Sequence, residues 1–311
     1  MRPSRGWQGS LLILASAAMF GALAIFAKAA YAAGATVATT LFLRFLMASA
    51  ILWTGMAVTG TIRLDLSVRM WGACVGLGAV GYTAQSLLFF TSLRYISASL
   101  AGLLLYVYPP IVTLLSSAFL RERIDGRKGL ALGAATAGLL LVLGRSLGPV
   151  SGRGVGLALL SAGVFSAYLI TSRLTLRRVS PVAAAAIIMP SACAAFGLYG
   201  VLSGQLRFGL PPQAFAAIGG MALVSTVLAI VAFFAGLKRV GASRAAILST
   251  FEPIVTVLLG AVLLGERLAP GQLAGGACIL SSVLLLYGST DRLEGGETQE
   301  GAMPRANAGR L

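Results

Sequence analysis

The sequence contains no histidine, only three cysteines, and just nine acidic residues in 311. The missing histidine removes the commonest general base and the commonest metal ligand together. Cys74, Cys193 and Cys278 all lie inside apolar runs, without metal-ligand spacing, and read as small core thiols rather than a disulfide framework. Neither a metal nor a cofactor is expected, and no nucleophile–base pair assembles, so the chain does not read as an enzyme. Charge of either sign is scarce: 11% of residues are charged, against roughly a quarter in soluble domains. The net charge of +15 sits almost wholly in short connections between apolar runs. That is the pattern of membrane topology signals, not of a basic patch interleaved with aromatics, so nucleic acid is not an expected partner.

What the chain has instead is apolar length. Hydrophobic residues make up 58% of it, and the mean hydropathy is +0.90. The runs are continuous rather than alternating every second residue, which indicates membrane-spanning helices and not a β-barrel. Two stretches organise the rest. LKRVGASRAAILSTFEPIVTVLLGAVLLGERL, residues 237–268, repeats LRYISASLAGLLLYVYPPIVTLLSSAFLRERI, residues 93–124, at a gap-free shift of 144. Leu93, Ala98, Ser99, Ala101, Leu104, Pro109, Leu114, Leu115, Leu120, Glu122 and Arg123 fall on identical residues in the second copy. The first apolar run also has a counterpart, since Ser16, Ala17 and Phe20 align with Ser161, Ala162 and Phe165. It is therefore expected to be a retained helix rather than a removed leader.

The expected architecture is an all-α membrane protein of ten transmembrane helices, arranged as two inverted five-helix repeats. A short N-terminus (1–8) precedes the first repeat (9–144), a Gly/Pro/Ser linker (145–154), the second repeat (155–288) and a polar tail (289–311) read as disordered. With the N-terminus cytoplasmic, seventeen Lys and Arg fall inside and six outside, with Arg44 left in the membrane. That bias places both termini in the cytoplasm. Five helices per repeat is an odd number, so the repeats must enter the bilayer from opposite sides.

Inverted repeats that meet at the midplane are the architecture of alternating-access transporters, and interrupted helices at matching positions point to the substrate site. Pro109-Pro110 and Pro253 form such a pair, although each would also serve as a simple kink. Glu252, directly before Pro253, is the only acid inside a run. It either faces a cavity or pins helices through hydrogen bonds. It aligns with Tyr108, and Ala245, Ser249, Glu252 and Thr256 share one helical face. Arg44 is the only base inside a run, roughly 10 Å from its start. Pairing with Glu252, capture of an anionic group, and capping of carbonyls are all open to it. Tyr82, Gln85 and Phe89 share a face suited to a small ligand or to plain packing. Glu122-Arg123 and Glu266-Arg267 end the repeated stretches as candidate gates or as ordinary helix-end ion pairs. Gly72/Gly76 and Gly271/Gly275 read as close-packing signals.

The tenfold apolar run pattern, PIVTVLLGAVLLGERL and PIVTLLSSAFLRERI in the two copies, FEP before the ninth run's midpoint and LRF in the second together resemble the EamA family of the drug/metabolite transporter superfamily. The resemblance covers about residues 9–288. It implies a carrier of amino acids and other small metabolites in the bacterial inner membrane, with a central cavity lined by both repeats. The corresponding partners are a small-molecule substrate, protons as coupling ion, the lipid bilayer, and a second copy of the chain as a homodimer. Export is the expected direction. The competing reading is a lipid or lipid-linked-sugar flippase on the same scaffold.

Overall fold

A computed structural model describes residues 5–60, 66–120, 125–144, 150–176, 179–240, 245 and 248–287. Every regular element among them is helical. The chain runs α1 (Arg5–Gly21), α2 (Leu23–Ala32), α3 (Val37–Val58), α4 (Val68–Gly76), a π-helical turn (Leu77–Tyr82), α5 (Thr83–Ser92), α6 (Ala98–Leu105), α7 (Tyr108–Leu120) and α8 (Gly126–Gly144). It continues with α9 (Gly152–Thr175), α10 (Pro181–Leu202), α11 (Pro212–Ala222), a second π-helical turn (Leu223–Leu228), α12 (Ala229–Val240), α13 (Phe251–Leu264) and α14 (Pro270–Tyr287).

Seven stretches among the described residues are long and apolar enough to cross a membrane: Trp7–Ala32, Val37–Val58, Val68–Ser92, Ala98–Ala118, Gly152–Ser172, Val182–Leu202 and Pro212–Val240. Phe251–Leu264 and Pro270–Leu285 are apolar but shorter. The expected fifth run is α8, 19 residues long. The expected ninth begins among residues 241–247, which lie mostly outside the described set, as does the 289–311 tail.

Helix boundaries follow local chemistry. Ser67, Ser97, Ser151 and Ser180 each accept a hydrogen bond from the backbone N–H three residues on, as Thr36 does from Thr39. These caps satisfy donors that a helix start leaves orphaned. Pro212 occupies the first turn of α11, where a missing N–H costs nothing. Gly265 closes α13 at φ +64°, a left-handed conformation that only glycine adopts without strain.

The two halves repeat their irregularities. The gap between α6 and α7 falls at Tyr106-Val107, and the turn that precedes α13 is Thr250, 144 residues after Tyr106. The π-helical turns recur 146 residues apart. At each, a threonine hydroxyl bonds the carbonyl five residues back, Thr83 just after the first turn to Gly78 at 2.9 Å and Thr226 within the second to Met221 at 3.0 Å. An inserted residue of this kind frees a carbonyl and re-aims the side chains after it.

Packing is exchanged in the same way. α1 packs on α12 as α9 packs on α5, and α1 also meets α13 as α9 meets α6 and α7. α3 lies on α10, α6 on α13, and α8 on α14. At the last of these, a Cβ added to Gly138 would stand 2.6 Å from the Gly275 carbonyl oxygen, and one on Gly275 2.5 Å from that of Gly138. Gly275 therefore serves the close approach expected of it. Gly72 and Gly76 do not: a Cβ on either meets open space. The main core crosses the halves, with Leu41, Phe45, Phe90, Leu93, Leu104, Phe196 and Ile279 essentially inaccessible.

Candidate functional site

The two helix breaks meet. Tyr106 stands in the first, and its hydroxyl lies 3.1 Å from the Ser249 carbonyl oxygen and 3.0 Å from Glu252 Oε2 across the second. The break turns what reads as a mid-run acid into a residue of the first turn of α13. Unsatisfied N–H groups and the helix dipole favour negative charge there. Glu252 is half-buried, and Pro253 behind it is buried. The helix that carries them is clamped to the first span. A Cβ on Gly21 would stand 2.7 Å from the Glu252 carbonyl oxygen. The Thr256 hydroxyl lies 3.0 Å from the Gly21 oxygen and 3.1 Å from that of Glu252.

A chain of rings leads away from the carboxylate. Tyr106 meets Tyr108 at 5.9 Å between centroids, and Tyr108 meets Phe165 at 5.0 Å. Phe165 stacks on Tyr168 at 6.1 Å, and Tyr168 meets Tyr82 at 5.8 Å. Tyr82 then meets Phe45 at 5.3 Å. The rings come from α7, α9, the first π turn and α3, so both halves contribute. Gly81 gives Tyr168 its place, because a Cβ there would stand 2.9 Å from that ring.

Arg44 lies at the far end of this wall. It is 2% exposed, donates through Nε to Thr226 Oγ1 at 3.0 Å, and has its guanidinium 5.0 Å from the Phe45 centroid and 5.5 Å from that of Phe90. The ion pair between Arg44 and Glu252 that the sequence leaves open does not form, since the two groups have separate partners. The π turn explains the choice: it brings Thr226 onto α3.

Other expected site residues are placed differently from one another. Tyr108 stays beside the site, but the hydroxyl on Glu252 is that of Tyr106, which the repeat alignment does not single out. Its signal was the pair of breaks, because Tyr106 is the residue that aligns with the turn Thr250. Gln85 is buried and held between helices by Ser161, at 3.3 Å, and Ser86, at 3.2 Å. The Ser249 hydroxyl bonds back to Ala245 O at 2.9 Å, so its contribution to the site is its carbonyl. Pro109 and Pro110 are buried in the first turn of α7. Phe165, Tyr168, Thr226 and Gly21 join the site through tertiary packing alone.

Glu266 also bridges the halves. Its carboxylate accepts from Ala98 N at 2.7 Å, Ser99 N at 2.9 Å and the Ser99 hydroxyl at 2.7 Å. It thereby caps α6, with Lys28 donating to the neighbouring Ile96 O at 2.7 Å. Arg267 is exposed. Glu122 and Arg123 lie outside the described residues.

A helical membrane protein whose two similar halves pack by exchange, with broken helices facing each other over a half-buried acid, has the anatomy of a membrane transporter. Comparison with known proteins is more specific. Residues 7–144 and 152–288 each match the EamA-like transporter family, and the chain belongs to it. It is 30% identical over 277 residues to the uncharacterized transporter YcbK of Bacillus subtilis (strain 168), covering 86% of this chain and 88% of that one. It is 28% identical over 237 residues to the uncharacterized transporter YwfM of the same organism, covering 75% and 79%. A solved crystal structure, 18% identical, superposes with a TM-score of 0.64 over 92% of this chain and 98% of the other. That likeness concerns the fold.

Proposed function

We propose that this chain is a secondary transporter of small metabolites, amino acids or related compounds, that exports them across the inner membrane by alternating access. Its ten helices form two inverted repeats with both termini cytoplasmic, and the substrate is carried between them. The observation that carries this reading is the meeting of the two helix breaks through Tyr106, Ser249 and Glu252. Groups on the two halves that meet at these breaks can separate and re-form as the halves rock. Glu252 is the coupling carboxylate, exchanging a proton against substrate, and the Glu266 cap on α6 holds one face closed. Arg44 orders the wall behind the site.

The test is flux in proteoliposomes with and without an imposed pH gradient. Glu252→Gln keeps size and hydrogen bonding but cannot titrate. It is expected to fold and to lose gradient-driven transport while retaining exchange. A variant that responds to the gradient as the parent does would leave Glu252 a structural residue.

A flippase reading draws support from a different feature. A cavity of about 260 Å³ between α3, α10 and α12 is lined by Leu52, Ala185, Met189, Val227 and Phe234, with Lys238 among its walls. An acyl chain and an anionic headgroup would suit that lining. Lipid scrambling in the same vesicles, without metabolite flux, would select it.

A further inference from the structure

We infer that the groove between α3, α10 and α12 is a binding site for an anionic phospholipid that stays with the protein as a resident ligand. This goes beyond the reading above, in which the same cavity counts towards lipid as cargo. The cavity, of about 260 Å³, is lined by Leu52 of α3, Val182 and Met189 of α10, and Val227, Phe234 and Lys238 of the second π turn and α12. Met189 is buried, whereas Val182 and Val231 are exposed, so the cavity opens sideways from the bundle. Lys238 is the one polar residue among its walls.

That charge stands at one end. At the start of α3, Thr36 and Thr39 donate to Gln205 O, just past the end of α10, at 2.6 and 3.2 Å. The two helices are therefore antiparallel, and Val58 and Pro181 share the opposite end. Lys238, two residues from the end of α12, lines the cavity beside Val182, the second residue of α10. With the termini cytoplasmic as proposed above, this is the cytoplasmic leaflet. A lysine stem lies along apolar surface while its ammonium reaches the headgroups. Basic pockets between membrane helices on that side suit anionic headgroups. Arg239 is directed elsewhere: a Cβ on Gly9 of α1 would stand 2.6 Å from its Cβ, and its Nη1 donates to Ala235 O at 2.6 Å.

Length separates a resident from cargo. From Lys238 to Val227 the groove runs about 16 Å along the helix axis, and the acyl region of one leaflet is about 15 Å deep. The groove therefore takes a chain of one leaflet and stops at the π turn, where Thr226 holds Arg44. A headgroup crossing the bilayer would need polar walls along its path, and from Phe234 inward these walls are apolar.

Trp53 reports on the groove, because it follows Leu52 and donates through Nε1 to Ala186 O at 3.0 Å, beside Ala185 of the cavity wall. Trp7 and Trp71, the other two tryptophans, are exposed and can be replaced by phenylalanine. The full chain with Trp53 alone is reconstituted in equal mixtures of phosphatidylglycerol and phosphatidylcholine, with brominated chains on one lipid or the other. Quenching of Trp53 is expected to show a preference of about fivefold for phosphatidylglycerol, equivalent to about 1 kcal/mol. Lys238→Gln should bring the two lipids to near parity, whereas Arg239→Gln, which removes the same charge, should keep the preference. Equal quenching by both lipids in the parent overturns the inference and leaves ordinary boundary lipid. A preference lowered equally by the two variants overturns it as well, since diffuse attraction to a basic face would then suffice. Protein-dependent scrambling of labelled phosphatidylglycerol that Lys238→Gln abolishes would make the lipid cargo and overturn its residence. Metabolite flux is read separately, so the transporter reading stands or falls without this site.

Discussion

Arg44 and Glu252 show how a buried charge is tolerated. The acid is placed at a helix start, with one hydroxyl on it and part of its surface accessible. The base is enclosed by two rings and a threonine. Lysine cannot reproduce Arg44, because it lacks the planar group that stacks on Phe45 and Phe90 while its Nε bonds Thr226. Arg44→Lys and Arg44→Gln are therefore expected to impair transport with expression near that of the parent, measured as flux per reconstituted protein. A fully active lysine variant would reduce Arg44 to a bulk charge. Thr226→Val leaves the guanidinium Nε unpaired in a buried site. It should lower stability by about 1–3 kcal/mol, read as a shift in thermal unfolding in detergent.

The informative elements are the irregular ones. Paired breaks and paired π turns occupy matching places in the two halves, and each re-aims a side chain that ordinary helical spacing would place elsewhere. The regular helices depend on glycine contact instead. Because Gly138 and Gly275 approach each other's backbones, Gly138→Val must force α8 from α14. It is expected to destabilise by several kcal/mol, in the range of overpacked cores. Gly72→Ala faces open space, and added helix propensity should leave it neutral or slightly more stable. Equal melting of the two variants would contradict this contrast. Glu266 acts on another element, through three bonds to the start of α6. Glu266→Gln removes the charge from that cap and should cost about 1 kcal/mol. Arg267→Gln should leave thermal unfolding unchanged.

For the whole molecule the prediction is orientation. In a cysteine-free background, single cysteines at 65, 125 and 308 are expected to be cytoplasmic, and those at 148 and 209 periplasmic. Impermeant reagent reaching position 125 from outside, but not 148, would refute both the topology and the inverted repeats. The expectation stems from basic residues alone, since the packing exchanges the halves without defining which face of the bundle is which.

Much was legible without coordinates: helical class, duplicated halves and family. These follow from run length and repetition, which local chemistry writes directly into sequence. Apolar runs must satisfy their own backbones in lipid, so helix formation is forced wherever they occur. The site itself was only partly legible. Tyr106 was hidden because a helix break rotates it away from the face that regular spacing assigns, and the partner of Gln85, Ser161, is 76 residues distant. Whether Arg44 would meet Glu252 was equally undecidable, since each chose a partner from elements more than a hundred residues away. The sequence by itself determined which elements form and that they form twice. Only the tertiary structure decided which partners the two membrane charges take, because that depends on π turns and broken helices meeting across the two halves.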